Sequence, residues 1–245
     1  QPVFRTGIFA VVFFVGKEGL KIIPLVKSFT IDTPKGKRTI GPGQPCFVIA
    51  EMSGNHNQQY EKAVALVRAA AAAGADAIKL QTYTPDTITI DSQKPWFMVR
   101  SKDNPDAWKG KSLYEVYKQA YTPWEWFRPL QKLAHELGLV FFSTAYDNTS
   151  VDFLESIGVP MYKVASYECT HIPLLKKIAA TGKPIIMSVG FATQIEVDES
   201  VAALRAAGAK DIAFLHCTTS YAEHPASDET NLWTMRDLGD RYQAV

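Results

Sequence analysis

The stretch "CFVIAEMSGNHNQQYEKAVALVRAAAAAGADAIKLQT", residues 46–82, decides the fold. Residues 46–51 read as a buried strand: four apolar residues, Phe47 to Ala50, run straight into the carboxylate of Glu51. A polar loop, residues 52–57, follows. "QQYEKAVALVRAAAAAGA" then reads as an Ala-rich helix stopped by Gly74, and "DAIKLQT" as the next apolar strand. Strands with continuous apolar runs, each followed by a helix, build a parallel sheet covered by helices.

The same rhythm runs down the chain. After a long polar and aromatic segment, residues 85–121, "TPWEWFRPLQKLAHELG" reads as a helix capped by Thr122, with Pro123 in its first turn and Gly138 at its end. "LVFFST", "MYKVAS", "PIIMSVG" and "DIAFLHCTTS" read as strands. "NTSVDFLESIG", "IPLLKKIAATG", "QIEVDESVAALRAAGA" and "DETNLWTMRDLGDR" read as the helices between and after them. Two architectures fit such a series, a (β/α)8 TIM barrel and an open doubly wound sheet. No GxGxxG follows the first strand, which disfavours dinucleotide binding. The expectation is an α/β fold, a (β/α)8 barrel truncated after roughly six strand–helix units. "RYQAV" stops where a seventh strand should begin.

Composition narrows the function classes. The net charge is +1 and the 26 basic residues form no run, so no nucleic-acid partner is expected. Cys46, Cys169 and Cys217 are widely spaced and lie in or beside apolar strands, as small buried thiols in a reducing cytoplasm do; no CxxC or CxxH pair suggests zinc. No apolar stretch is long enough to span a bilayer. The nearest, "GIFAVVFFVG" at residues 7–16, follows Arg5 but precedes no small-residue cleavage site. Organised pattern begins near Lys27, so residues 1–26 are expected to be an extension outside the fold, and their deletion to leave the melting temperature unchanged. The domain expected over residues 27–245 is one incomplete barrel.

The strands deliver polar groups near their C-terminal ends. Side chains alternate along a strand, so Lys79 shares a face with Gln81, and His216 with Phe214 and Thr218. Lys163 lies on "MYKVAS" and Ser188 ends "PIIMS". In a barrel these ends converge on one mouth, where active sites sit. Glu51 closes its strand because that end lines the site, and His56 and Asn57 belong to the loop rimming it. A lone strand lysine reads equally well as a salt-bridge partner. Two lysines, a glutamate and a glutamine at equivalent ends do not read as surface, since unpaired buried charge is costly. Two cations with Ser166 and Ser188 suit an anion such as a phosphate or carboxylate. For His56, a loop-ordering hydrogen bond and a substrate contact both stand; for His216, a satisfied core histidine and a substrate contact both stand. His135 and His171 read as surface or capping residues, and "TPWEWF" as helix packing.

The motifs "FVIAEMSGNHN", "AGADAIKLQTYTPDT", "LYEVYKQAYTPWEW", "FFSTAYD", "YKVASYE", "GKPIIMSVG" and "LHCTTSY" resemble, in order, the sialic acid synthase family. The NHN loop, "QTYTPDT" and "AYTPWEW" look most like its pseudaminic acid synthase branch. The resemblance implies a phosphoenolpyruvate-dependent, cytoplasmic transferase acting on an open-chain acetamido sugar, 2,4-diacetamido-2,4,6-trideoxy-L-altrose in that branch, with a divalent metal, typically Mn2+, as Lewis acid. It further implies Glu51, Lys79 and Gln81 as catalytic residues. Lys163, Ser166, Ser188 and Thr219 would be phosphoenolpyruvate ligands, and His56, Asn57, Glu168 and Tyr221 sugar contacts. Two departures stand out. Tyr221-Ala222 replaces the family's Tyr-Pro, and the SDHT-like and KHFT-like motifs that carry the metal-binding histidines do not occur, nor does the C-terminal antifreeze-like domain that completes the site across a homodimer. The 245-residue chain alone is therefore expected to hold no metal and to be inactive, and a longer parent to be an active homodimer. Alternatives are an N-acetylneuraminate or legionaminate synthase, a barrel making 3-deoxy sugar acids, and a non-catalytic sugar-phosphate binding protein, against which Glu51 argues.

Overall fold

In the computed structural model, residues 10–11, 28–100, 108–218 and 230–245 are described. A short strand, β1 (Ala10–Val11), comes first, then a hairpin of β2 (Phe29–Thr33) and β3 (Gly36–Ile40). The repeating units follow: β4 (Ile49–Glu51) and α1 (Tyr60–Ala72); β5 (Ala77–Thr82) with the short α2 (Pro85–Ile88), α3 (Leu113–Ala120) and α4 (Phe127–Glu136); β6 (Val140–Ala145) and α5 (Asn148–Ser156). Then come β7 (Tyr162–Val164) and α6 (Ile172–Ala179), β8 (Ile185–Ser188) and α7 (Gln194–Ala206), and β9 (Ile212–Leu215) and α8 (Trp233–Tyr242).

Strands β4 to β9 lie side by side in chain order and all run parallel, forming a curled half-barrel with helices outside, while β1 pairs antiparallel with β4. This is the arrangement expected of a truncated (β/α)8 barrel. The parallel strands β4 to β9 are buried on both faces, as continuous apolar runs require; every residue of β6 is buried. Helices stop where the sequence places glycine: Gly74 and Gly138 take left-handed φ values of 81° and 77° after α1 and α4, a conformation costly for any residue with a Cβ. At the far edge, Val245 donates its N–H to Ile212 and accepts one from Phe214, the bonding of a residue on the next parallel strand.

Three details differ from the sequence reading. Residues 46–48 lie outside β4, because the Asp76 carboxylate and the Arg38 guanidinium take part of their backbone bonding. The hairpin β2–β3 was not read in advance; Phe29, Ile31 and Ile40 bury into the same core as the sheet. Thr122 does not cap α4. A 3₁₀ turn at Trp124–Trp126 precedes that helix, and the Thr122 hydroxyl is engaged by His56 instead. The expectation that residues 1–26 stand apart from the fold falls, except at β1, outside the described residues.

Candidate functional site at the strand ends

Register places the polar residues. Glu51 pairs with Lys79 and Lys79 with Phe142; two residues further on, Gln81, Thr144, Lys163, Ile186 and Ala213 form the next row. Tyr162 points the other way, its hydroxyl donating to Val151 O and the Glu155 carboxylate of α5. Alternation therefore turns Lys163, and the whole row with it, toward the barrel interior.

Glu51, Lys79 and Thr144 form one cluster. Lys79 Nζ pairs with Glu51 Oε2 and donates to Thr144 Oγ1 at 3.3 Å. Glu51 Oε1 accepts the Ser53 N–H at 3.0 Å. The second cluster is Lys163, Ser188 and Cys217. Lys163 Nζ donates to Ser188 Oγ at 2.6 Å and to Val164 O at 2.5 Å, and Cys217 Sγ lies 3.4 Å from Ser188 Oγ. Lys79 is 8% exposed and Lys163 6%. Burial, then the charge of Lys79, pulls the Lys163 ammonium down to about 7. Burial pushes the Glu168 carboxyl up to about 7, against Lys163 and a backbone hydrogen bond. Glu168 Oε2 is buried and finds no hydrogen-bond partner among the described residues. Ser166 Oγ accepts the Gly190 N–H at 3.4 Å, tying the loop after β7 to the loop after β8. Two partly compensated cations beside hydroxyls in a desolvated cleft can hold a dianion, and a carboxylate paired to one of them can handle a proton.

The loop after β4 is set by backbone strain and by His56. Ser53, Asn57 and Gln58 have φ of 49°, 48° and 52°, unusual for residues with side chains. His56 is fully buried. Its Nδ1 accepts the Gln58 N–H at 2.9 Å, so its Nε2–H donates to Thr122 Oγ1 at 2.9 Å. Burial lowers its pKa to about 4, so the ring is neutral. The loop-ordering hydrogen bonds open to His56 in the sequence are present. Asn57 lies in the same loop, its N–H donating to Gly54 O.

Glu51, Lys79, Gln81, Lys163, Ser166, Ser188 and Glu168 thus gather at one end of the sheet, with His56 and Asn57 behind them in the rim. Thr219 and Tyr221 lie outside the described residues. His216 was grouped with the inward residues and is not among them: Phe214 pairs with Met187 in the outward row, and His216 Nε2 bonds Thr230 O at 3.1 Å. His216 is partly buried and hydrogen-bonded, and the inward polar atom on that strand end is the Cys217 thiol. Thr144 and Tyr146 were missed. Counting by two from Phe142 along "FFSTAY" finds both, once the register shows that Phe142 faces inward. Among the described residues no three His, Cys, Asp or Glu side chains converge to hold a metal ion. No helix there is long and apolar enough to cross a membrane.

Comparison with known proteins supplies the family. The model of the NeuB family matches residues 66–245. The pseudaminic acid synthase of Helicobacter pylori is 38% identical over 80% of this chain and 56% of its own length. The N,N'-diacetyllegionaminic acid synthase of Legionella pneumophila is 35% identical over 85% of this chain and 58% of its own. The solved structure of the spore coat polysaccharide biosynthesis protein SpsE of Bacillus subtilis superposes with a TM-score of 0.68 at 33% identity, covering 85% of this chain and 53% of that one. The chain thus spans a little over half the length of these curated relatives.

Proposed function

This chain belongs to the NeuB family, and from that premise we propose that it carries the condensing site of a nonulosonic acid synthase. C3 of phosphoenolpyruvate attacks the aldehyde carbon of an open-chain acetamido sugar, the carbonyl oxygen taking up a proton. Water adds at C2, and phosphate departs with cleavage of its C–O bond, leaving a 2-keto acid. The single observation that carries this reading is the inward row itself: Lys79 and Lys163, each buried and each beside a hydroxyl, with Glu51 paired to the first.

In this proposal Lys163, Ser188, Ser166 and Thr219 hold the anionic oxygens of phosphoenolpyruvate. Lys79, with Thr144 and Gln81, orients the remainder of the substrates. Glu51, paired to Lys79, takes the proton of the attacking water. Glu168 and Tyr221 contact the sugar. A divalent cation, Mn2+ by family analogy, would polarise the aldehyde. We place the reaction in the cytoplasm, where phosphoenolpyruvate is available, and the whole protein in a homodimer. The acceptor we propose is 2,4-diacetamido-2,4,6-trideoxy-L-altrose, supported by the pseudaminic acid synthases at 38%, 36% and 35% identity. The legionaminic relative at 35% keeps a second acetamido acceptor in view.

The test uses the whole protein with phosphoenolpyruvate, Mn2+ and each candidate acceptor, following phosphate release and 2-keto acid mass. Turnover with the diacetamido-trideoxy altrose and little with N-acetylmannosamine is the expected result. The reverse preference would keep the chemistry and change the acceptor. Phosphoenolpyruvate binding without turnover of any acceptor would replace the synthase by a binding protein.

A further inference from the structure

The residues 85–121 were long, aromatic and without a role in the sequence reading. The structure folds the end of that segment, residues 113–121, back onto the mouth. Gln58 Nε2 donates to Lys118 O at 3.0 Å and Tyr121 O at 3.3 Å, and Gly54 approaches Ala120 so closely that a Cβ there would meet its carbonyl oxygen at 3.0 Å. Helix α3 is thereby clamped to the β4 loop. A Ser112–Glu115 capping box fixes the start of the helix, and Tyr117 lies on its side toward Tyr83.

Tyr117 meets the edge of Tyr83 at 5.5 Å and 76°, and Tyr83 meets Tyr146 at 5.3 Å and 80°. Tyr83 is 3% exposed, and its carbonyl accepts Trp124 Nε1–H at 3.3 Å, so the middle ring of the three has no room to turn. Tyr146 continues the inward alternation of Phe142 and Thr144 beyond the end of β6. Burial raises its hydroxyl pKa, and the carboxylates of Glu168 and Glu51 come next among the causes, so the hydroxyl lies within the field of both and stays protonated. At the same strand ends Glu168, in the loop after β7, holds an orphaned buried oxygen. An O–H donor on a braced ring, an unused carboxyl acceptor and an aromatic edge therefore lie at the same mouth. An acetamido group offers the matching three: a carbonyl oxygen, an N–H and a methyl.

We propose that Tyr146, buttressed by Tyr83 and Tyr117, is a specificity-determining residue that receives an acetamido group of the acceptor sugar, its hydroxyl donating to the carbonyl while its ring meets the methyl and Glu168 accepts the N–H. This deepens the synthase reading and rests on it. Tyr146 touches substrate; Tyr83 acts through Tyr146 and is a positioning residue.

The experiment compares the whole protein with its Tyr146→Phe, Tyr146→Ala, Tyr83→Phe and Tyr83→Leu variants. KM for acceptor and for phosphoenolpyruvate are measured separately, and binding of the diacetamido-trideoxy altrose, of N-acetylmannosamine and of mannose is followed by saturation-transfer NMR. Loss of one hydrogen bond predicts that Tyr146→Phe lowers the preference for the acetamido sugar ~10-fold, with phosphoenolpyruvate KM unchanged. Tyr146→Ala lowers it further, Tyr83→Leu resembles Tyr146→Phe, and Tyr83→Phe, which keeps the ring, behaves as the unsubstituted protein. Equal acceptor KM and equal preference in both Tyr146 variants would overturn the inference, as would a parallel rise in both substrates' KM. If the unsubstituted protein binds the acetamido sugar but turns over none, the synthase reading fails while the NMR comparison still decides the role of Tyr146. Absence of any preference for either acetamido sugar, the diacetamido-trideoxy altrose or N-acetylmannosamine, over mannose overturns the inference outright.

Discussion

At Lys163 two demands oppose each other. The proposed phosphoenolpyruvate site needs a cation there, while burial and the neighbouring Lys79 disfavour one, bringing the ammonium to about 7. The sign follows from proton counts. Between about 7 and the ordinary lysine value of 10.5 the unfolded chain holds a proton that the native one has released, so stability rises with pH across that window; below 7 the native state carries the full cost of the buried charge. Lys163→Met should therefore raise the melting temperature at pH 6, measured by calorimetry, and at the same pH weaken phosphoenolpyruvate at least ~10-fold by titration calorimetry, as loss of a hydrogen bond to a charged group implies. In the unsubstituted protein, affinity for phosphoenolpyruvate should fall as pH rises through about 7, because Lys163 loses its charge while Glu168 gains one. A flat profile between pH 6 and 9 would show that Lys163 is not the titrating ligand.

At the scale of elements, the β4 loop and the segment after α3 hold each other through one imidazole. Among the described residues Thr122 is the partner on which the Nε2–H of His56 depends. Thr122→Val keeps the shape and removes that partner, leaving a buried donor unsatisfied at a cost of about 1–3 kcal/mol, to be read in chemical denaturation; Thr122→Ser should restore most of it. The pH dependence also has a fixed sign. The pKa of His56 lies at about 4 in the fold, below its ordinary 6.5, so the stability it supports is complete above 6.5 and is lost as pH falls through about 4. Hydrogen exchange at the amides of residues 53–58 should accelerate over that range before the sheet opens. The reading of "TPWEWF" as simple helix packing is true of Phe127, which meets Phe141 and Phe153 edge-on, and incomplete for Trp126, whose ring meets both His56 and Tyr60.

At the scale of the whole molecule, the two ends of the sheet do different work. The polar row occupies the C-terminal strand ends, while the hairpin β2–β3 joins the apolar core and is tied to the chain before β4 by Arg38, which donates to Pro45 O and Cys46 O at 2.9 and 3.2 Å. Ile31 is 3% exposed. Ile31→Ala should cost about 2–5 kcal/mol of folding stability, read by denaturant titration, and leave phosphoenolpyruvate affinity per folded molecule unchanged. A change in affinity would mean that the hairpin reaches the site.

The amino-acid order by itself determined the alternation of strand and helix. Apolar runs of strand length, helices closed by glycine and a polar residue at each strand end are local patterns, legible wherever period and punctuation coincide. It also determined most of the polar cluster at the strand ends: Glu51, Lys79, Lys163 and Ser188 declare themselves by interrupting apolar strands. Only the tertiary structure decided which face each strand turns inward. Alternation gives two faces and names neither, so His216 could be grouped with the interior until the pairing of Phe214 with Met187 turned it out and Cys217 in. Only the fold, too, could bring Tyr117 to Tyr83 and Tyr146, since their meeting depends on a segment doubling back over the mouth, a long-range contact no local pattern encodes.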